Sequence, residues 1–188
     1  MEIQHNYTNT SIIMSDIPDS VLDYNNEFHQ LSSKWTLWAH LPHDSDWSIQ
    51  SYKSIYTYKY VEEVIAINET IPNHLVENCM LFLMKEGIKP TWEDPKNRNG
   101  GCFSYKISNK NVANVWKELN YVVTGYTISK HQHFVKYVTG ITISPKKHFC
   151  IIKVWMENCL NQNPNDVTDE IPFLNSHGCI FKKHVPEY

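Results

Sequence analysis

The chain has 188 residues, 41% of them hydrophobic and 13% aromatic, with a formal net charge of −3 at pH 7. That is enough apolar material for one folded domain, and a near-neutral balance excludes an overall basic field for long nucleic acids, so any RNA contact is expected to be local and small. Five cysteines with no C-x-x-C pair argue for reduced thiols in a cytosolic protein and against a disulfide or zinc framework; the opening residues do not read as an export leader, and no apolar run reaches the length of a membrane span.

Residues 1–28 are rich in Asn, Ser, Thr and Asp, with one short apolar run, Ile12-Ile13-Met14. They are expected to be a flexible tail ahead of a single domain over 29–188. From Leu31 to Leu41, Trp35 and Leu37 alternate as in a strand, and Trp35 and Trp38 read as packing residues. Pro42-His43-Asp44-Ser45-Asp46 is a turn cluster, which leaves Trp47 exposed just beyond it; taken alone, a Trp at a strand entrance is also compatible with burial. Tyr52–Lys59 reads as a strand. Tyr60–Ile71 reads as a helix, with Val61, Val64, Ile65 and Asn68 on related faces and Pro72 ending it.

Cys79–Met84 is a short apolar run, and Phe103, Tyr105 and Ile107 alternate with Ser104 and Lys106, so both read as strands. Between them, Pro90, Pro95 and the Gly100-Gly101 pair exclude a helix and define a loop held at both ends. That loop carries Trp92 beside Glu93. An indole face attracts an electron-poor or cationic ring, and a carboxylate accepts hydrogen bonds from a guanine edge, so the pair suits a flat purine. A Trp tucked under the sheet beside a solvated Glu is the other reading of the same residues.

Asn109–Val123 has the clearest helical period, through Val112, Val115, Trp116, Leu119 and Val122, with Asn109 or Asn111 as the expected cap and Gly125 as the stop. Phe134–Ser144 and Phe149–Met156 are apolar, β-branched runs that predict a hairpin whose tip carries Lys146, Lys147 and His148. Pro164 and Pro172 leave room for only a short helix around Asp166–Glu170, and Cys179-Ile180-Phe181 predicts a terminal strand.

The run Pro90-Thr91-Trp92-Glu93-Asp94-Pro95-Lys96-Asn97, followed by Gly100-Gly101, resembles the signature of the eukaryotic translation initiation factor 4E family, the messenger-RNA cap-binding proteins. Lys34-Trp35-Thr36-Leu37-Trp38, then Trp47, Tyr60-Val61-Glu62-Glu63, Trp116, Gly140 and Trp155 follow in the family's order. The resemblance covers about Leu31–Trp155. It implies an α+β fold, a strongly curved antiparallel β-sheet with two to three helices on its convex face and a cap pocket on the concave side. It implies that Trp47 and Trp92 sandwich 7-methylguanine, that Glu93 reads its edge, that Trp155 meets the methyl group, and that Lys146, Lys147 and His148 meet the phosphates. Lys146 and His148 stand where the family has Arg and Lys, and Cys102 replaces its basic residue after the double glycine.

The same resemblance implies a partner-binding convex face. Val61 is kept there, but Ile65 replaces a Trp and Lys117 a Leu, so a scaffold initiation factor is expected to bind weakly or be replaced by a modified partner. The expected function is binding of 7-methylguanosine-capped mRNA in translation initiation by a cytoplasmic monomer without cofactor or metal. The alternative is a cap-binding repressor or specialised-message factor. Catalysis would need clustered carboxylates or an oriented nucleophile. Glu62-Glu63 lies on the helix away from the pocket, Asp44 and Asp46 belong to a turn, and His131-Gln132-His133 lacks a third ligand, so no enzyme is expected.

Overall fold

Alternation of side chains across a pleated strand lets one sheet serve two faces at once, and that division organises the molecule. The computed structural model describes residues 28–184; residues 1–27 of the expected tail lie outside the described residues. Strands β1 (Gln30–His40), β2 (Tyr52–Tyr60), β3 (Met80–Lys85), β4 (Gly101–Ser108), β5 (Val138–Pro145), β6 (Phe149–Met156) and β7 (Ile180–Lys183) form one sheet in the order β2-β1-β3-β5-β6-β4-β7. Every neighbouring pair is antiparallel. The helices are α1 (Val61–Thr70), α2 (Asn73–Asn78), α3 (Asn109–Thr124) and α4 (Gln132–Lys136), with single 3-10 turns at Ile49–Ser51 and Pro164–Asp166.

One face of the sheet supplies Trp35, Leu37, Leu83, Phe103, Ile141 and Val154 to a core completed by Val112, Val115, Trp116 and Leu119 of α3. The opposite face carries a smaller cluster, Phe82, Met84, Cys102 and Trp155, edged by Trp38, Tyr52, Met80 and Ile88. The α+β architecture expected from the sequence is present, with the helices gathered on one side of an antiparallel sheet.

Three local expectations are corrected. Phe134–Tyr137 does not extend the strand: Gln132–Lys136 is α4, in which the consecutive Phe134 and Val135 are both buried, and β5 starts at Val138. A short apolar run does not separate strand from helix by period alone. The N-cap of α3 is Ser108, without a side-chain cap bond; Asn109 instead faces the Cys150 thiol, Sγ to Oδ1 3.7 Å. At the other end the helix stops at Gly125 as expected, its N–H donating to the Tyr121 carbonyl at 2.9 Å with φ −82°, and a left-handed step follows at Tyr126, φ 58°, held by its hydroxyl donating to Ser33 Oγ at 2.6 Å. Glycine is needed at 125 because a Cβ would stand 2.9 Å from the Tyr121 carbonyl oxygen. Finally, no helix covers Asp166–Glu170. Only the turn Pro164–Asp166 forms, because Thr168 N–H donates to the Ile128 carbonyl at 2.8 Å and draws the chain into another path.

Candidate functional site

Asp94 and Asn97 hold the loop of residues 86–100 in shape. The Asp94 carboxylate, 8% exposed, accepts from the backbone N–H of Lys89 at 3.0 Å and of Lys96 at 2.9 Å. Asn97, fully buried, donates through Nδ2 to the carbonyls of Lys89 at 3.1 Å and Thr91 at 2.9 Å. Lys96 is paired with Glu157 at 2.8 Å, and a Cβ on Gly100 would overlap the Met156 carbonyl oxygen at 1.7 Å, so the loop closes tightly onto β6. With its polar groups turned inward, the loop leaves Trp92 46% exposed and Glu93 exposed. Asp94→Ala leaves two backbone donors without their acceptor, at about 1–3 kcal/mol for a buried group left unpaired. Urea denaturation is expected to show a loss of that size; an unchanged midpoint would remove Asp94 from this role.

Trp47 is presented from the other connection, between β1 and β2. It is 57% exposed, and one indole face lies flat on His40, ring centroids 4.2 Å apart and planes 4° from parallel. His40 is itself buried at the end of β1 and donates through Nε2 to the Asp46 carbonyl at 2.8 Å. The turn is pinned by Asp46, which accepts from Ser48 N–H and Oγ–H, both at 2.8 Å; those two bonds hold its carboxyl below the ordinary range. The backing of Trp47 by His40 escaped the sequence reading. The available signal was an aromatic ring as the last residue of a strand before a turn.

Tyr52 lies beneath the first connection and edges the smaller cluster. It meets His40 edge-on at 5.1 Å and Phe82 at 5.3 Å. Burial first, and then the charge of Glu93, push its phenol up. The loop of 86–100 departs from the Lys85 end of β3, and its Ile88 packs against the Phe82, Met84, Cys102 and Trp155 cluster that Tyr52 also edges, so the loop lies over the face away from the helices. The hairpin tip with Lys146, Lys147 and His148, all exposed, lies at the same end of the sheet as Trp47, since His40 pairs with Met80 and Leu81 with Ile143.

Trp155 belongs to the same face. It lies opposite Cys102 on β4 and Gly140 on β5, is 7% exposed, and has no partner for its buried Nε1 among the described residues. Gly140 leaves the room, because a Cβ there would strike Met84 Sδ at 2.3 Å. His184 lies against Trp155 at 4.7 Å and is bonded through Nδ1 to the Asn97 carbonyl at 2.8 Å. Burial pushes the His184 imidazole down, the Asn97 bond opposes that, and the Lys153 charge adds to it. A group depressed in the fold binds its proton more readily when unfolded, so its contribution is present above the ordinary His value of about 6.5 and is lost as pH falls below it. The melting temperature is expected to fall between neutral pH and pH 5, and His184→Gln to flatten that fall; parallel curves would contradict it.

The remaining candidates occupy the helical side. Val61 and Ile65 are exposed, while Lys117 of α3 is paired with Glu69 of α1 at 3.3 Å, and Tyr121 donates its hydroxyl to the same carboxylate at 3.1 Å. Glu63 caps α1, accepting from Tyr60 N–H at 3.0 Å and the Tyr56 hydroxyl at 2.7 Å, and Glu62 holds His29. Both acids are therefore used structurally. His131 stands 3.9 Å from Asp166 beside a cavity of about 300 Å³, and His133 bonds Asn161 at 3.2 Å. Among the described residues no group of three or more His, Cys, Asp or Glu is placed to hold a metal ion, and no helix is long and apolar enough to cross a membrane.

The architecture is an antiparallel sheet with helices on one face and an aromatic-bearing loop over the other, and comparison with known proteins gives its family. Residues 30–176 match the model of Eukaryotic initiation factor 4E, and the chain belongs to that family, a family of initiation factors and not of enzymes. Eukaryotic translation initiation factor 4E-2 of Schizosaccharomyces pombe is 34% identical over 149 residues, covering 76% of this chain and 58% of the relative. The 4E factor of Candida albicans is 31% identical over 153 residues, covering 74% and 71%. The chain thus spans little more than half of the fission-yeast relative. Among solved structures, Ascaris suum eIF4E-3 with m7G cap aligns with TM-score 0.63 at 24% identity, covering 72% of this chain and 77% of that one. A schistosome eIF4E complexed with m7GpppG and 4E-BP aligns with TM-score 0.65 at 20% identity, covering 72% and 76%. At such identities these two neighbours establish the fold.

Proposed function

We propose that this protein binds the 7-methylguanosine cap of messenger RNA and acts in translation initiation, as a cytoplasmic monomer. Membership of the 4E family supports the reading, as do fold neighbours solved with cap. The observation that carries it is a pair of exposed indoles, Trp47 and Trp92, held from separate connections: Trp47 is backed by His40, which lies against Tyr52, and Trp92 stands on the loop whose Ile88 packs on the same cluster that Tyr52 edges, with Glu93 next to Trp92 in the chain. The base stacks on the two rings, where the positive charge of N7-methylated guanine strengthens attraction to an indole face. Glu93 accepts from its N1–H and exocyclic amine. Trp155 lines the methyl side, and Lys146, Lys147 and His148 meet phosphate oxygens. No bond is made or broken. Retention on a cap-analogue resin with release by 7-methyl-GTP tests this: release by equal GTP would contradict it, as would appearance of cleaved cap.

A second reading, a cap-binding repressor or specialised-message factor, is favoured by the helical face. The 4E-binding proteins seen with the fold neighbours, Mextli and 4E-BP, indicate a partner of this type. Here Ile65 offers less area than an indole and no N–H donor, and the Lys117–Glu69 pair puts charge where an apolar contact is expected. A partner helix loses an aromatic anchor of the kind that dominates interfaces. Ile65→Trp with Lys117→Leu is expected to tighten a 4E-binding peptide roughly tenfold, the scale of one recovered anchor. Ordinary tightness of the unaltered chain in the same titration would contradict the weakened face.

A further inference from the structure

Register puts three lysines on the face that carries Trp155. Phe103, Tyr105 and Ile107 of β4 enter the helical-side core, so Cys102, Ser104 and Lys106 face the other way. Cross-strand partners share a face. Lys182 of β7 stands opposite Cys102, and Lys153 of β6 stands between Ser104 of β4 and Thr142 of β5. None of Lys106, Lys153 and Lys182 is paired with a carboxylate among the described residues.

Two unsatisfied polar groups accompany them. Thr142, opposite Lys153, is 1% exposed with no partner for its hydroxyl, and the Trp155 Nε1 is likewise unpartnered. Lys106 rests its ammonium 4.4 Å from the centre of the Phe149 ring, which orders the side chain without neutralising it. Three like charges sharing one sheet face, none of them paired with a carboxylate among the described residues, repel one another, and an anion laid along the strands relieves that repulsion.

We infer that Lys106, Lys153 and Lys182 form an anion track across β4, β6 and β7 that takes phosphate groups of the capped RNA. The inference rests on the proposed cap reading and deepens it. Cys102 leaves the position after the double glycine without charge, and Lys182 supplies a charge one strand further out on the same face. Lysine serves as a point charge for such phosphates without needing the planar fork of arginine. Two sources of phosphate fit the chemistry: the triphosphate bridge, and the phosphodiesters that follow it.

The test titrates the unaltered chain and the pair Lys153→Gln with Lys182→Gln with 7-methylguanosine nucleoside, 7-methyl-GTP and a short capped oligonucleotide, at several salt concentrations. The expected result is unchanged nucleoside binding and at least a severalfold weakening with phosphates present, the slope of log affinity against log salt falling by about 0.7 for each lost single-strand contact. Loss already with 7-methyl-GTP assigns the track to the bridge, and loss only with the oligonucleotide assigns it to the phosphodiesters. The Arg pair at the same positions is expected to retain binding, which excludes misfolding as the cause. Unchanged affinities and slopes in the Gln pair, with the unaltered chain still preferring 7-methyl-GTP to GTP, overturn the track alone. Absence of that preference in the unaltered chain overturns the proposed function and the track with it.

Discussion

Trp92→Ala is expected to weaken binding of 7-methyl-GTP by roughly 5- to 150-fold, from a stacking contribution of about 1–3 kcal/mol per base, while changing the stability of the fold by no more than about 0.5 kcal/mol. The contrast follows from its position. The loop is held by Asp94, Asn97 and Gly100, and the indole projects from it 46% exposed, so truncation removes an exposed ring and little packing. Trp47→Ala is expected to lose binding on the same scale but with a measurable stability cost, since its ring covers the otherwise buried His40 at 4.2 Å. Calorimetric titration and thermal melts on the two variants separate these effects. A Trp92 variant that binds normally would show that this ring is not a stacking plate.

Glu93→Ala carries the other large effect. A carboxylate facing the guanine edge accepts two hydrogen bonds, and bonds to a charged group contribute about 1.5–3 kcal/mol each. Its loss is expected to remove at least tenfold, and roughly a hundredfold if both bonds form. Glu93→Gln is expected to recover little, because one acceptor oxygen becomes an NH2 donor facing a donor. The variant also relieves Tyr52: with the Glu93 charge gone, that phenol is expected to titrate lower, toward its ordinary range, while burial keeps it above. The Tyr52 shift and the loss of cap affinity are independent readouts of one carboxylate. Retention of Glu93→Ala on cap resin would remove the assigned role.

The strands were legible because their chemistry repeats at period two: β1 shows it through Trp35 and Leu37, and β4 through Phe103, Tyr105 and Ile107. Helix α3 was legible through Val112, Val115, Trp116 and Leu119. What escaped was set by tertiary partners. Phe134 and Val135 look the same in a strand or a helix until the core that takes both is known, and the path after Pro164 is decided by a bond from Thr168 to the distant Ile128. Of the candidate site, the exposure of Trp47 and Trp92 was readable from the turn chemistry around them. The roles of Asp94, Asn97 and His40 depend on carbonyls and N–H groups that a sequence does not display. The lysines at 106, 153 and 182 lie far apart along the chain, and only strand register brings them onto one face.

The most direct measurement is intrinsic fluorescence during titration with 7-methyl-GTP and, separately, GTP. Trp35 and Trp116 are enclosed in the core, each 1% exposed, whereas Trp47 and Trp92 stand in solvent, so a base entering between the exposed rings quenches a distinct, accessible part of the emission. The account predicts saturable quenching by the methylated nucleotide at concentrations where GTP has little effect, and loss of that quenching in the Trp47→Ala, Trp92→Ala and Glu93→Ala variants. Equal quenching by both nucleotides, or saturable quenching that survives all three substitutions, would contradict it.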